Sequence, residues 1–184
     1  MEGRVAGMKT ALSLSLLPSF QRYEFERAYI AAHTAEIAAA TPDKPELREA
    51  LNAAFRLAIA AEEKRIEDDR AKVAAANTAA FLSDPVAALE WIDEERGRTF
   101  DLGEALQYLG IATVTLKRGK GKGYQIGKGT LGAGTISPMV ATVRIGDKVK
   151  AFEMGSRNDR HSKRDAATCA ASQFALEIAS NAGN

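Results

Sequence analysis

The amino-acid sequence predicts an α+β fold: a helical N-terminal region over residues 1–98, read as an αα-hairpin, followed by an α-β-β-β-α domain over 99–184. Three observations carry this. Met139 to Ile145 alternates with the period of a strand, with Met139, Ala141, Val143 and Ile145 on one face and Val140, Thr142 and Arg144 on the other. Gly146-Asp147 suits a two-residue hairpin loop into a return strand, Lys148 to Met154, because glycine accepts positive φ without steric cost. From Ser162 onward Ala166, Ala170, Phe174 and Ile178 recur every four positions, the apolar stripe of a helix.

Taken in order, residues 1–18 are weakly patterned, a loose arm or a short packing segment. Ser19 to Ala40 reads as a helix whose large apolar members are Phe20, Tyr23, Ile30 and Ile37. Pro42 and Pro45 break it, and Pro45 opens the next helix, where a missing N–H is harmless. That second helix runs from Pro45 to about Leu82, with Leu47, Leu51, Phe55, Ile59, Ile66 and Val73 as its ridge. Its charged run, Glu62 to Arg70, offers opposite-charge pairs three or four residues apart. A helix of this length cannot bury its own ridge, so the αα-hairpin or dimerisation must cover it. Ser83-Asp84-Pro85 caps and starts a third helix to Glu95, with Val86, Leu89 and Ile92 on one face and Trp91 beside them as a packing residue.

Asp101 to Gly110 is a short helix with Asp101 as cap and Gly110 as stop. Ala112 to Leu116 is either a strand or the exit from that helix. Lys117-Arg118-Gly119-Lys120-Gly121-Lys122-Gly123 is a four-cation, glycine-spaced loop. It lacks the Gly-Lys-Ser/Thr ending of a P-loop and the setting of a dinucleotide fingerprint, which leaves a cationic loop able to approach phosphates. Tyr124-Gln125-Ile126 starts a strand, and Gly127 to Pro138 is a glycine-rich loop. Past Met154, Gly155-Ser156 ends the return strand, and Asn158, Asp159 and Ser162 offer caps for the last helix.

The net charge of +1 over 184 residues conceals an asymmetry. Residues 1–100 carry 13 Lys+Arg against 17 Asp+Glu, a balance of −4, whereas residues 101–184 carry 12 against 7, a balance of +5. That split suits a nucleic-acid-facing module on a neutral or acidic scaffold. One cysteine, Cys169, excludes an intrachain disulfide, and with only His33 and His161 besides, no metal site is expected. No cofactor motif is present. The run Thr10 to Phe20 is too short to span a bilayer, so no membrane partner is expected and the protein is read as cytoplasmic.

The order helix, three antiparallel strands, helix over the last 80 or so residues resembles the double-stranded RNA-binding domain family. The resemblance is carried by Met139 to Val149, Gly155-Ser156, Ser162-Lys163-Arg164-Asp165-Ala166 and Ala170-Ala171. In that family a Ser-Lys-Lys-x-Ala-Lys-like run opens the second helix and meets phosphates across the major groove, while the first helix and a strand-connecting loop enter minor grooves. The resemblance implies a non-catalytic binder of double-stranded RNA. Lys163 and Arg164 stand in the first two cationic places, and Glu104 and Gln107, about one turn apart in the first helix, face either 2′-hydroxyls or water. Arg157, Arg160, Lys117, Arg118, Lys120 and Lys122 add phosphate contacts. Cations in a helix's first turn oppose its dipole, a placement that polyanion contact compensates. Two departures stand out: Ala167 occupies the third cationic place, and Leu131 to Pro138 lacks the Gly-Pro-x-His pattern. They leave an alternative, a structural or assembly protein of a ribonucleoprotein or virus particle whose domain makes protein contacts. In either case the N-terminal helices are expected to form a homodimer or dock a protein partner.

Overall fold

A computed structural model describes residues 17–40, 44–96, 101–118, 122–125, 133–136, 139–154 and 160–182. In chain order the elements are α1 (Arg22–Ala32), α2 (Thr34–Ala39), α3 (Pro45–Ser83), α4 (Pro85–Arg96), α5 (Leu102–Tyr108), β1 (Thr113–Arg118), β2 (Lys122–Gln125), β3 (Ala133–Ile136), β4 (Met139–Ile145), β5 (Lys148–Met154) and α6 (Arg160–Ala182). The chain is α+β, with a three-stranded antiparallel sheet. It divides into two compact units, Pro18–Lys72 and, with Leu17 and the residues before it, Val73–Asn184. The division falls inside α3, ahead of the boundary expected after residue 98. The last turns of α3 and all of α4 lie with the sheet because Phe81, Ala88, Trp91 and Ile92 are buried in its core.

In the first unit α1 runs antiparallel to α3. Tyr29 meets Phe55 with ring centroids 5.1 Å apart, and Arg70 Nε donates to the Pro18 carbonyl over 2.5 Å. The packing face of α1 is aromatic: Phe20, Phe25, Tyr29 and His33 follow one another at 6.2, 6.4 and 4.3 Å. Tyr23, Ile30 and Ile37, expected to form the apolar face, are instead 74%, 53% and 42% exposed. The expected single helix also begins three residues later and is interrupted at His33. There the Thr34 hydroxyl donates to the carbonyls of Ile30 and Ala31, competing with the helical ladder. The α3 ridge is deepest at Ile59 and Ile66, both buried, while Leu47 near its start is exposed.

In the second unit β4 is central, flanked by β1 and β5, both antiparallel to it. Thr115, Thr142 and Ala151 share one row, and Leu116, Ala141 and Phe152 the next. Met139, Ala141, Val143 and Ile145 are buried, as their alternation requires. Against them lie Ala166, Ala170, Phe174 and Ile178 of α6, all buried, with Phe174 edge-on to Phe152 at 6.1 Å. Phe81, Ile92, Leu106 and Ile111 fill the space behind, and each such side chain contributes about 1.5–3 kcal/mol by burial. Trp91 is a buried packing residue as expected, but Val86 of α4 is exposed and Ala88 takes the inward place.

The third strand of this sheet is a correction. Thr113–Arg118, left undecided in the sequence, supplies it; the strand expected at Tyr124 pairs only with Ala133–Ile136 in a separate two-stranded sheet. The expected cationic loop is therefore largely strand, with Lys117 and Arg118 ending β1 and Lys122 opening β2. The turn at Gly146-Asp147 forms as expected, with Gly146 at φ +61°.

Candidate nucleic-acid interface

The geometry of the site begins with how α5 is held. Asp101 takes the expected N-cap place with extended backbone, its carbonyl accepting from Ala105 N–H at 3.0 Å; its side chain makes no cap hydrogen bond. The C-terminus closes as a Schellman turn: Ile111 N–H reaches the Leu106 carbonyl at 2.9 Å and Gly110 N–H the Gln107 carbonyl at 3.0 Å, with Gly110 at φ +70°. From α3, Asn77 Nδ2 donates to the Leu109 carbonyl at 2.7 Å and Thr78 Oγ1 to that of Gly110 at 3.4 Å. The C-terminal end of this seven-residue helix is thus tied down.

Helices α5 and α6 cross at Gly103. A Cβ on that residue would stand 2.0 Å from the Thr168 carbonyl oxygen and 2.9 Å from Ser172 Oγ, so only glycine permits the approach. The crossing brings the next residue, Glu104, against the start of α6, where Arg164 Nε donates to Glu104 Oε1. Glu104 is the sheltered partner, its side chain 18% exposed against 68% for Arg164. The carboxylate raises the guanidinium's pKa further, first by this hydrogen bond and then by charge, with Asp165 and Asp101 adding to the field. Lys163 beside it is exposed.

Of the expected RNA-binding residues, the structure therefore joins Glu104 and Arg164 directly and places Lys163 next to them. Gln107, half-buried, donates to the Gly103 carbonyl at 3.0 Å within its own helix. Lys117 is exposed on the sheet face that also bears Thr113 and Thr115, opposite the face that α6 covers, so it does not join Lys163 and Arg164. Its separation follows from strand alternation: Val114 and Leu116 take the core side. Arg157 and Lys120 lie outside the described residues, as do the side chains of Arg118, Lys122 and Arg160.

Two further features of this unit carry no signal in the local sequence pattern. Lys150 pairs with Glu177 of α6 and sits 5.3 Å above the Phe152 ring, a structural clamp between β5 and α6. Beside α5, an open cleft of about 930 Å³ is lined by Asp101, Leu102, Asp165, Cys169, Leu176 and Glu177 among others. The charged groups among its described lining residues are the carboxylates Asp101, Asp165 and Glu177. Among the described residues no group of three or more His, Cys, Asp or Glu could hold a metal ion, and no helix is long and apolar enough to cross a membrane. No protein-family model matches the chain, and no curated protein or solved structure matches it either.

Proposed function

We propose that this chain is a non-catalytic binder of double-stranded RNA and that its second unit is built like a double-stranded RNA-binding domain. The observation that carries the reading is the pairing of exposed Lys163 and Arg164 at the start of α6 with α5 alongside. This is set in the order α5, β1, β4, β5, α6, from which β2 and β3 branch as an inserted hairpin. Such a unit reads A-form geometry rather than base edges, because the RNA major groove is too narrow for side chains while the minor groove displays 2′-hydroxyls. Lys163 and Arg164 supply the phosphate contacts across the major groove, and α5 approaches a minor groove. The test is the salt dependence of duplex-RNA binding. Replacing Lys163 by Ala should lower the slope of log K against log salt by about 1, and replacing both cations should lower it by up to about 2. Unchanged slopes overturn the assignment.

A second reading, an assembly component of a ribonucleoprotein or virus particle, draws support from the first unit. Tyr23, Ile30 and Ile37 recur every seven residues and are exposed, which suits docking of a second copy or a protein partner. The two readings part at the second unit, which binds RNA in the first and makes protein contacts in the second.

A further inference from the structure

The ion pair between α5 and α6 joins two residues to which the RNA reading assigns separate tasks, Glu104 to a 2′-hydroxyl and Arg164 to a phosphate. Resting on that reading, we propose that Glu104 is a positioning residue: it anchors Arg164 through Nε so that the guanidinium's terminal nitrogens are aimed at phosphate before RNA arrives. A guanidinium carries five N–H donors in a fixed fork, and the Nε bond to Glu104 leaves the Nη donors for a bidentate phosphate contact. The exposures fit the division of labour, with the acceptor sheltered at 18% and the arginine open at 68%. Glu104 is itself fixed, one residue beyond the backbone crossing of Gly103 on Thr168. An arginine ordered in the free protein loses less freedom on binding than a loose one.

The opposite effect is also physical. A carboxylate beside a phosphate-binding cation subtracts from its charge, and Asp101 and Asp165 lie in the same field. If subtraction dominated, removing Glu104 would tighten binding; if positioning dominates, it weakens binding. The two have different signs, and the sheltered anchor, on a helix held against α6 at Gly103, favours positioning.

The test is a mutant cycle on the full chain with a duplex RNA of about 20 base pairs, duplex DNA of the same sequence serving as control. Glu104→Ala should weaken RNA binding roughly fivefold, and Glu104→Gln, which keeps an acceptor for Nε–H, should recover most of it. In an Arg164→Ala background, Glu104→Ala should change nothing further. In the free protein, the ¹⁵N-detected Arg164 Nε–H signal should be protected from exchange, and Glu104→Ala should remove that protection. Tighter binding by Glu104→Ala, or an equal loss with and without Arg164, overturns positioning while leaving RNA binding standing. A wild-type protein without preference for RNA over DNA duplex overturns both.

Discussion

The carbonyl oxygen of Thr168 lies where a side chain on Gly103 would begin, 2.0 Å from the position of its Cβ. Through this crossing α5 and α6 are locked, and the geometry of the Glu104–Arg164 pair follows from it.

Gly103→Ala should accordingly damage both stability and binding. The obstruction is backbone, which cannot turn aside as a flexible side chain would, so α5 must lift away from α6. Overpacking of this kind costs about 1–3 kcal/mol. Urea denaturation should show a lower midpoint for the variant, and its duplex-RNA affinity should fall as Glu104 leaves Arg164. An unchanged midpoint would contradict the close crossing.

Asn77 makes a second prediction. It is fully buried and donates to the Leu109 carbonyl, tying the end of α3 to the end of α5. Asn77→Ala leaves that carbonyl without its donor and opens space, at a cost of about 1–3 kcal/mol. Chemical denaturation checks the value; a loss below about 0.5 kcal/mol would place Asn77 with ordinary surface positions.

The pH dependence of the first unit follows from Glu62. Its carboxyl is held below the ordinary value of 4.5 mainly by the hydrogen bond from Arg65, which also reaches Asp69 at 3.0 Å. A group whose pKa is lowered on folding stabilises the fold above its unfolded value and loses that contribution as pH falls through the folded one. Arg65 remains charged throughout, its own pKa being raised by Glu62. Comparing melting of wild type and Glu62→Gln by circular dichroism should show a difference at pH 7 that shrinks below pH 4.5. Being exposed, the pair should also weaken with salt. A difference independent of pH would contradict the ion pair.

The exposed residues Tyr23 and Ile30 of α1 and Ile37 of α2 can be tested without disturbing the fold. Ile30 is 53% exposed, so Ile30→Glu should change unfolding free energy by less than about 0.5 kcal/mol. If these residues dock a second copy, sedimentation should show the wild type as a dimer and the variant as a monomer. Identical sedimentation of the two would remove Ile30 from any self-association surface.

Where one element's own pattern decides its structure, the sequence was legible. The four-residue recurrence from Ala166 to Ile178 foretold the buried stripe of α6, and the alternation of Met139 to Ile145 foretold the core face of β4. Non-local pairing was less so. Thr113–Arg118 has only Val114 and Leu116 to place toward the core, too short a pattern to distinguish strand from helix exit, and its register against β4 depends on a partner more than twenty residues away. In α1 the large aliphatic residues misled: Tyr29, between Phe25 and His33, turns toward Phe55, and Ile30 turns to water. The Glu104–Arg164 pair spans sixty residues and depends on a glycine crossing that no periodicity reveals.

Duplex discrimination tests the central claim most directly. Purified protein is titrated against an RNA duplex of about 20 base pairs, the same sequence as DNA duplex, and single-stranded RNA, at two salt concentrations. Tight, salt-sensitive binding to the RNA duplex above the other two is the predicted result. Equal and weak binding to all three would contradict it, making the positive balance of residues 101–184 generic surface charge and moving the search for function to the helical unit.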